Sequence, residues 1–188
     1  KSLSTIIIPE KVESIGASTF NRCESLYEMN IPQSVTSIGS WAFDKTGILK
    51  NPKYLNDDVI YIDNCLIQVR KSKKGHVDVD WDTRLIASSA FAYAKSITDV
   101  YIPASVSRIG AYLFNSCLSL RYIEVAETNK VYHNNSDYNA IIETANNVLI
   151  AGCSTTNLFE NDSISGKVKL SRLEHRAKAA LYISVTLS

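Results

Sequence analysis

The chain of 188 residues lacks the residue clusters from which most active sites are built. Its four cysteines, Cys23, Cys65, Cys117 and Cys153, include no Cys-x-x-Cys pair, which removes the usual zinc and thioredoxin-like spacings and any dense disulfide framework. Its three histidines, His76, His133 and His175, stand far apart, with no HExxH or paired-histidine spacing for a catalytic metal. No GxSxG elbow is present, and Ser165-Gly166-Lys167 lacks the upstream glycine of a phosphate loop, so it reads as a turn. Charge of one sign is missing as well: 20 Lys plus Arg against 19 Asp plus Glu give +1, without the long-range field that draws in nucleic acid. No stretch approaches the ~18 consecutive apolar residues that span a bilayer. Lys1 stands where a start methionine would, and no basic-then-apolar leader is present, so any signal peptide is expected to have been removed or left out.

What the chain has is repetition. Ile8–Leu26 reads IPEKVESIGASTFNRCESL and Ile31–Phe43 reads IPQSVTSIGSWAF, a period of 23 residues. The phrase returns at Ile102–Leu120 as IPASVSRIGAYLFNSCLSL, and a weaker copy precedes it by the same period, with Val79, Ile86, Ala87, Phe91, Ala94 and Ile97 in its columns. Leu3 sits five residues before Ile8 as Leu26 does before Ile31, so the chain is expected to be a fragment of a longer array. A fifth frame is arguable, with Leu170 and Leu173 under Val35 and Ile38. The segment from Arg172 to Leu181 reads equally as a short closing helix, so 165–188 is expected to be a degenerate or capping repeat.

Each column has a physical role. The stretch ending in Ile-Pro is short and apolar and reads as a brief strand, which Pro9, Pro32 and Pro103 terminate because proline has no N–H for the ladder. Val12 and Ile15, with Val35 and Ile38 and with Val106 and Ile109, are expected to point inward from the turn that follows. Gly16, Gly39 and Gly110 come next; since Ala87 shares their column, close backbone approach is expected there rather than an obligatory positive φ. Phe20, Phe43, Phe91 and Phe114 predict an aromatic spine. Cys23 and Cys117, in a column with Thr46 and Ala94, predict a tight buried slot holding free thiols.

Two insertions break the period, over about 51–76 and 128–153. Each opens on Asn-x-x-Tyr, at Asn51–Tyr54 and Asn129–Tyr132, and each reads as a β-hairpin: Val59–Ile62 and Cys65–Val69 about Asp63-Asn64, then Ala140–Glu143 and Val148–Ala151 about Ala145–Asn147. The expectation is that these hairpins continue the sheet in place of a repeat; dedicated binding arms are the alternative.

A unit of the form Leu-x-x-Ile-x-Ile-Pro-x-x-Val-x-x-Ile-Gly-x-x-x-Phe-x-x-Cys, recurring from Leu3 to about Glu124, resembles the BspA-like, or Treponema-type, class of leucine-rich repeat. The resemblance implies an α/β leucine-rich-repeat solenoid, a right-handed superhelix that is β-rich with short helices or turns, carrying two β-hairpin insertions in a single domain over 1–188. It also implies secretion or surface display, typically in host-associated anaerobic bacteria, with adhesion to host proteins proposed for some members. Residues after Ser154 depart from the pattern.

The candidate sites follow from that frame. Asp78-Val-Asp80-Trp-Asp82 opens like a calcium loop, but Thr83 replaces the glycine and Ser89 the final glutamate, so the three aspartates read as a solvated acidic strip that nearby Arg70, Lys71, Lys73 and Lys74 would neutralise; a weak cation site is the alternative. The outward side of the stacked strands would present Tyr27, Glu28 and Asn30, then Asp99 and Tyr101, then Arg121, Tyr122 and Glu124. Tyrosine, arginine and carboxylates together resemble a protein-binding surface. No catalytic residue and no cofactor is expected. The partner would be a host or extracellular protein, with a glycan or a purely structural spacer role as alternatives. Two sequons, Asn134-Asn-Ser136 and Asn161-Asp-Ser163, matter only where the source glycosylates its secreted proteins.

Overall fold

A computed structural model gives the fold and describes residues 3–134, 139–153 and 169–170. The first coil carries β1 (Thr5–Ile6) and β2 (Ser14–Ile15), and the second carries β3 (Glu28–Met29) and β4 (Ser37–Ile38). The first hairpin follows as β5 (Leu55–Asn56), β6 (Val59–Ile62) and β7 (Cys65–Val69). The third coil holds β8 (Lys74–Asp78) and β9 (Leu85–Ile86), the fourth β10 (Ser96–Ile102) and β11 (Arg108–Ile109), and β12 (Tyr122–Val125) opens the next. The second hairpin supplies β13 (Tyr132–His133), β14 (Ala140–Glu143) and β15 (Val148–Gly152), with β16 (Lys169–Leu170) beside it. The result is a β-rich solenoid of about five turns. Its helical content among the described residues is two 3₁₀ turns, Gly47–Lys50 and Pro52–Tyr54.

Coils stack in parallel, in register with the sequence repeat. β1 pairs with β3, and β8, β10 and β12 form one sheet in which Val77, Val100 and Ile123 lie side by side. Alternation along each strand sends Met29, Ile31, Val77, Val79, Val100, Ile102, Ile123 and Val125 into the core and the intervening residues outward. Each such side chain contributes about 1.5–3 kcal/mol on burial.

The segment after the proline corner, expected as a turn, is a second strand column. Ser14↔Ser37 and Ile15↔Ile38 pair β2 with β4, and Leu85↔Arg108 and Ile86↔Ile109 pair β9 with β11. A third side is built from turns whose residues hydrogen-bond coil to coil: the N–H groups of Ser18, Phe20 and Arg22 donate to the carbonyls of Ser40, Ala42 and Asp44 at 3.0, 2.8 and 2.9 Å. Ser89, Phe91 and Tyr93 repeat this against Ala111, Leu113 and Asn115. This side holds positive φ at non-glycine residues, including Ser18, Trp41, Ser89 and Tyr112 in one column and Arg22, Lys45, Tyr93 and Ser116 in another. The left-handed conformation costs about 1–2 kcal/mol per residue, offset here by the ladder it aligns.

In the glycine column Gly39 and Gly110 show the expected close backbone approach, whereas at Gly16 an added Cβ meets only the Thr19 side chain, at 3.2 Å. A Cβ on Gly39 would stand 2.4 Å from the backbone N of Ala17, and one on Gly110 would stand 2.3 Å from that of Ser88. The phenylalanine spine forms in two segments, Phe20–Phe43 stacked at 5.6 Å and Phe91–Phe114 edge-on at 5.2 Å, separated by the first hairpin. That hairpin continues the sheet: β7 pairs in parallel with β9, Cys65↔Leu85 and Leu66↔Ile86, giving the order β11-β9-β7-β6-β5. The regular coil resumes at Lys74, inside the span assigned to the insertion. Leu149 pairs with Leu170 as Leu66 pairs with Ile86, so the backbone of β16 sets Leu170 in the Ile38 column rather than under Val35, a three-residue correction to the expected frame. Leu173 and the segment from Arg172 to Leu181 lie outside the described residues, as do Ser165–Lys167, His175 and the Asn161 sequon.

Candidate functional site

The outward face of β8, β10 and β12 carries two rows set by strand register. His76, Asp99 and Tyr122 stand side by side, and Asp78, Tyr101 and Glu124 form the next row. The rows arise because the alternate positions of these strands are apolar and buried, leaving the polar set no other direction.

The His76 ring lies between two carboxylates, its Nδ1 2.7 Å from Asp99 Oδ2 and its Nε2 2.9 Å from Asp78 Oδ1. The hydrogen bond to Asp78 is the main cause that raises the imidazole above its ordinary pKa; burial opposes it and Asp99 adds to it. A charged imidazole donates to both neighbours and ties β8 to β10.

The three aspartates of the acidic strip do not converge. Asp78 takes His76, Asp80 accepts from Asn56 Nδ2 at 3.0 and 3.2 Å, and Asp82 accepts from Asn64 Nδ2 at 2.9 Å. Among the described residues no three His, Cys, Asp or Glu side chains gather to hold a metal ion. Three of the four basic residues expected to neutralise the strip are engaged elsewhere, while Lys74 opens β8 two residues before His76. Lys73 pairs with Asp57, Arg70 lies 3.7 Å from Asp58, and Lys71 sits over the Tyr93 ring, so Asp57 and Asp58 on the hairpin take the charges that sequence proximity had assigned to the strip. The regular two-residue alternation also ends at the corner: Val79 is buried, whereas Trp81 and Asp82 are both exposed.

The remaining candidate residues divide between two sheets. Tyr27, Glu28 and Asn30 belong to the β1–β3 edge, separated from β8 by the first hairpin. Glu28 is 3.9 Å from Lys53, while the Asn30 amide clamps the first coil by accepting from Ile8 N–H at 2.8 Å and donating to Ile8 C=O at 3.2 Å. Asp99, Tyr101, Tyr122 and Glu124 share the β8–β10–β12 face, and Arg121 is exposed just before β12, its carbonyl accepting from Asn139. The sequon residue Asn134 is engaged too, accepting from Val125 N–H at 2.8 Å and donating to Ile123 C=O at 3.1 Å.

The thiols are structural. All four cysteines are thiols rather than disulfides; Cys117 is buried and donates to the Phe91 carbonyl at 3.0 Å while Cys23 is half-buried, and burial pushes the Cys117 thiol up to about 12 and that of Cys65 to about 11. No helix among the described residues is long and apolar enough to cross a membrane.

The geometry defines a β-solenoid repeat protein. The chain belongs to the family described as the BspA type leucine rich repeat region, six copies of which match residues 1–74 and 84–163. It is similar to a leucine-rich repeat protein from Eubacterium ventriosum, at 23% identity and a TM-score of 0.47, over 82% of this chain and 40% of that one. It is also similar to a leucine rich cell surface protein from Faecalibacterium prausnitzii, at 23% identity and a TM-score of 0.34, over 79% and 45% of the two chains. A third similarity is to the leucine rich repeat protein of T. pallidum, at 16% identity and a TM-score of 0.30, over 66% and 59%. The chain thus spans less than two thirds of each of these relatives. No curated protein is significantly similar to it.

Proposed function

We propose that the chain is a non-enzymatic protein-binding or adhesion module of a secreted or cell-surface repeat protein, and that it meets its partner on the outward face of β8, β10 and β12. The observation that carries this reading is the pair of in-register rows, which sets two tyrosines, an imidazole and three carboxylates on a face whose reverse is anchored in the core. Tyrosine offers rigid amphipathic area at small entropic cost, and a stacked sheet holds it in place before binding. Extended faces of this kind are what solenoids commonly use for recognition. Membership of a repeat family rather than of an enzyme family agrees with this reading.

The test is binding of the purified chain to an array of extracellular-matrix proteins and glycans beside a Tyr101, Tyr122 double-alanine variant. A protein signal lost in the variant supports the adhesive face. A glycan signal lost in it moves the reading to a sugar-binding module, and silence across the array favours a spacer.

A further inference from the structure

One corner of the solenoid departs from the others. The residue after the Ile-Pro pair is Glu10, Gln33 and Ala104 in the regular coils, polar or small as a solvated corner allows. In the third coil the pair is Val79-Asp80 and the corner residue is Trp81, which at 83% exposed is the most exposed large hydrophobic side chain of the described residues. Leaving an indole in water forgoes the large gain its burial would bring, and the corner does not need it. The turn is closed by Thr83 N–H donating to Asp80 C=O at 2.9 Å, and Asp80, standing where the first, second and fourth coils have proline, donates its own N–H to Tyr61 Oη at 3.1 Å.

Trp81 borders an open cleft between the corners of the third and fourth coils, lined also by Asp78, Asp80, Tyr101 and Pro103. The cleft is acidic within a chain of net charge +1. Asp78 and Asp80 line it, and Asp99 and Glu124 flank Tyr101 on the sheet. Among the described residues no Lys or Arg forms an ion pair with any of these carboxylates, or with Asp82; His76 bonds to Asp78 and Asp99, and the neutral amides of Asn56 and Asn64 to Asp80 and Asp82. The amides satisfy lone pairs without cancelling charge.

We propose that this cleft receives a cationic side chain, arginine or lysine, carried on an extended segment of a protein partner. The proposal rests on the protein-binding reading and names the chemistry of its partner. The faces of Trp81 and Tyr101 attract a cation through their ring quadrupoles, and Asp80, whose partner is the neutral Asn56 amide, supplies the countercharge. A neutral sugar would also stack on Trp81 but gains nothing from the carboxylates, so the charge of the cleft favours the cation.

The test titrates the full chain, by calorimetry at low and at physiological salt, with acetylated and amidated penta-arginine, penta-lysine and penta-glutamate peptides and with cellopentaose. Penta-arginine is expected to bind, more weakly as salt rises, and Trp81→Ala is expected to weaken it about tenfold, equivalent to about 1.4 kcal/mol. Asp80→Asn should act in the same direction, and Tyr27→Ala, on the other sheet, should leave the affinity unchanged. Trp81 is exposed, so its truncation should leave the circular dichroism and thermal midpoint at parental values. Absence of binding, or peptide binding that ignores both Trp81→Ala and Asp80→Asn, overturns the proposal, and cellopentaose binding that depends on Trp81 replaces it with a sugar site. A protein partner from the array that loses affinity in Tyr122→Ala but not in Trp81→Ala leaves the adhesive face standing and removes this inference; a partner indifferent to both removes both.

Discussion

Two kinds of junction stack the coils of this solenoid, and they use different residues for the same task. At the regular junctions the later coil carries glycine, Gly39 over Ala17 and Gly110 over Ser88, and the backbones approach so closely that no Cβ fits. At the junction made by the first hairpin the same column holds Ala87, whose N–H donates to Leu66 C=O at 2.9 Å and whose methyl group is buried. The corner carbonyls differ in the same way. Ser34 Oγ donates to Val12 C=O at 2.7 Å across a regular junction, whereas Arg84 reaches over the hairpin to donate to Val35 C=O at 2.6 Å and Pro32 C=O at 2.9 Å. A column residue is therefore set by what lies beneath it as much as by its own coil.

Substitutions can break or sharpen this contrast. The largest effect is expected from Leu66→Ala, which empties a fully buried position in the strand that stands in for a coil, and about 2–5 kcal/mol should be lost in urea unfolding. Gly110→Ala should cost about 1–3 kcal/mol by forcing the Ser88 backbone away, whereas Gly16→Ala, whose added Cβ meets Thr19 Oγ1 at 3.2 Å, should cost much less. Equal losses at the two glycines would refute the close-approach explanation. Arg84→Ala takes the guanidinium from Val35 C=O and leaves Pro32 C=O with Val35 N–H alone, and should cost about 1–3 kcal/mol by thermal unfolding, while Ser34→Ala should cost about 1 kcal/mol.

The smallest effect is a pH dependence at the regular junction of β8 and β10. Because His76 is raised above 6.5 in the folded chain, its contribution is complete below that value and fades as pH rises through the raised one. The side chain is half exposed, so the change in thermal midpoint should be slight and absent in His76→Gln, and an NMR titration should place the imidazole above 6.5.

The two hairpins share Asn-x-x-Tyr for a reason visible only in three dimensions. Asn51 and Asn129 each accept from backbone N–H groups of their own turn and donate to the coil before, and Tyr54 and Tyr132 each hydrogen-bond to earlier strands. Tyr54 reaches Met29 in β3, however, and Tyr132 reaches Ile109 in β11, so the same four-residue phrase docks on different columns. The hairpins themselves were legible from turn chemistry and β-rich arms. The docking was not, since the phrase carries no address. The candidate face was legible only in part: alternation puts Tyr101, Tyr122, Asp99 and Glu124 on one surface, but Asn30 is held by the backbone of Ile8, and Trp81, the most exposed aromatic of the described residues, has no counterpart in its column to mark it.

The sequence by itself determined the coil, its period and its inward columns, because each depends on residue type at fixed spacing and parallel stacking places every copy over the last. Only the tertiary structure decided the second strand column, the positive-φ turns at Ser18, Trp41, Tyr93 and their counterparts, and the partners of the charged residues. Those features arise from hydrogen bonds between successive coils and from ion pairs across the first hairpin, where the geometry of the neighbouring segment outweighs local propensity and nearness in sequence.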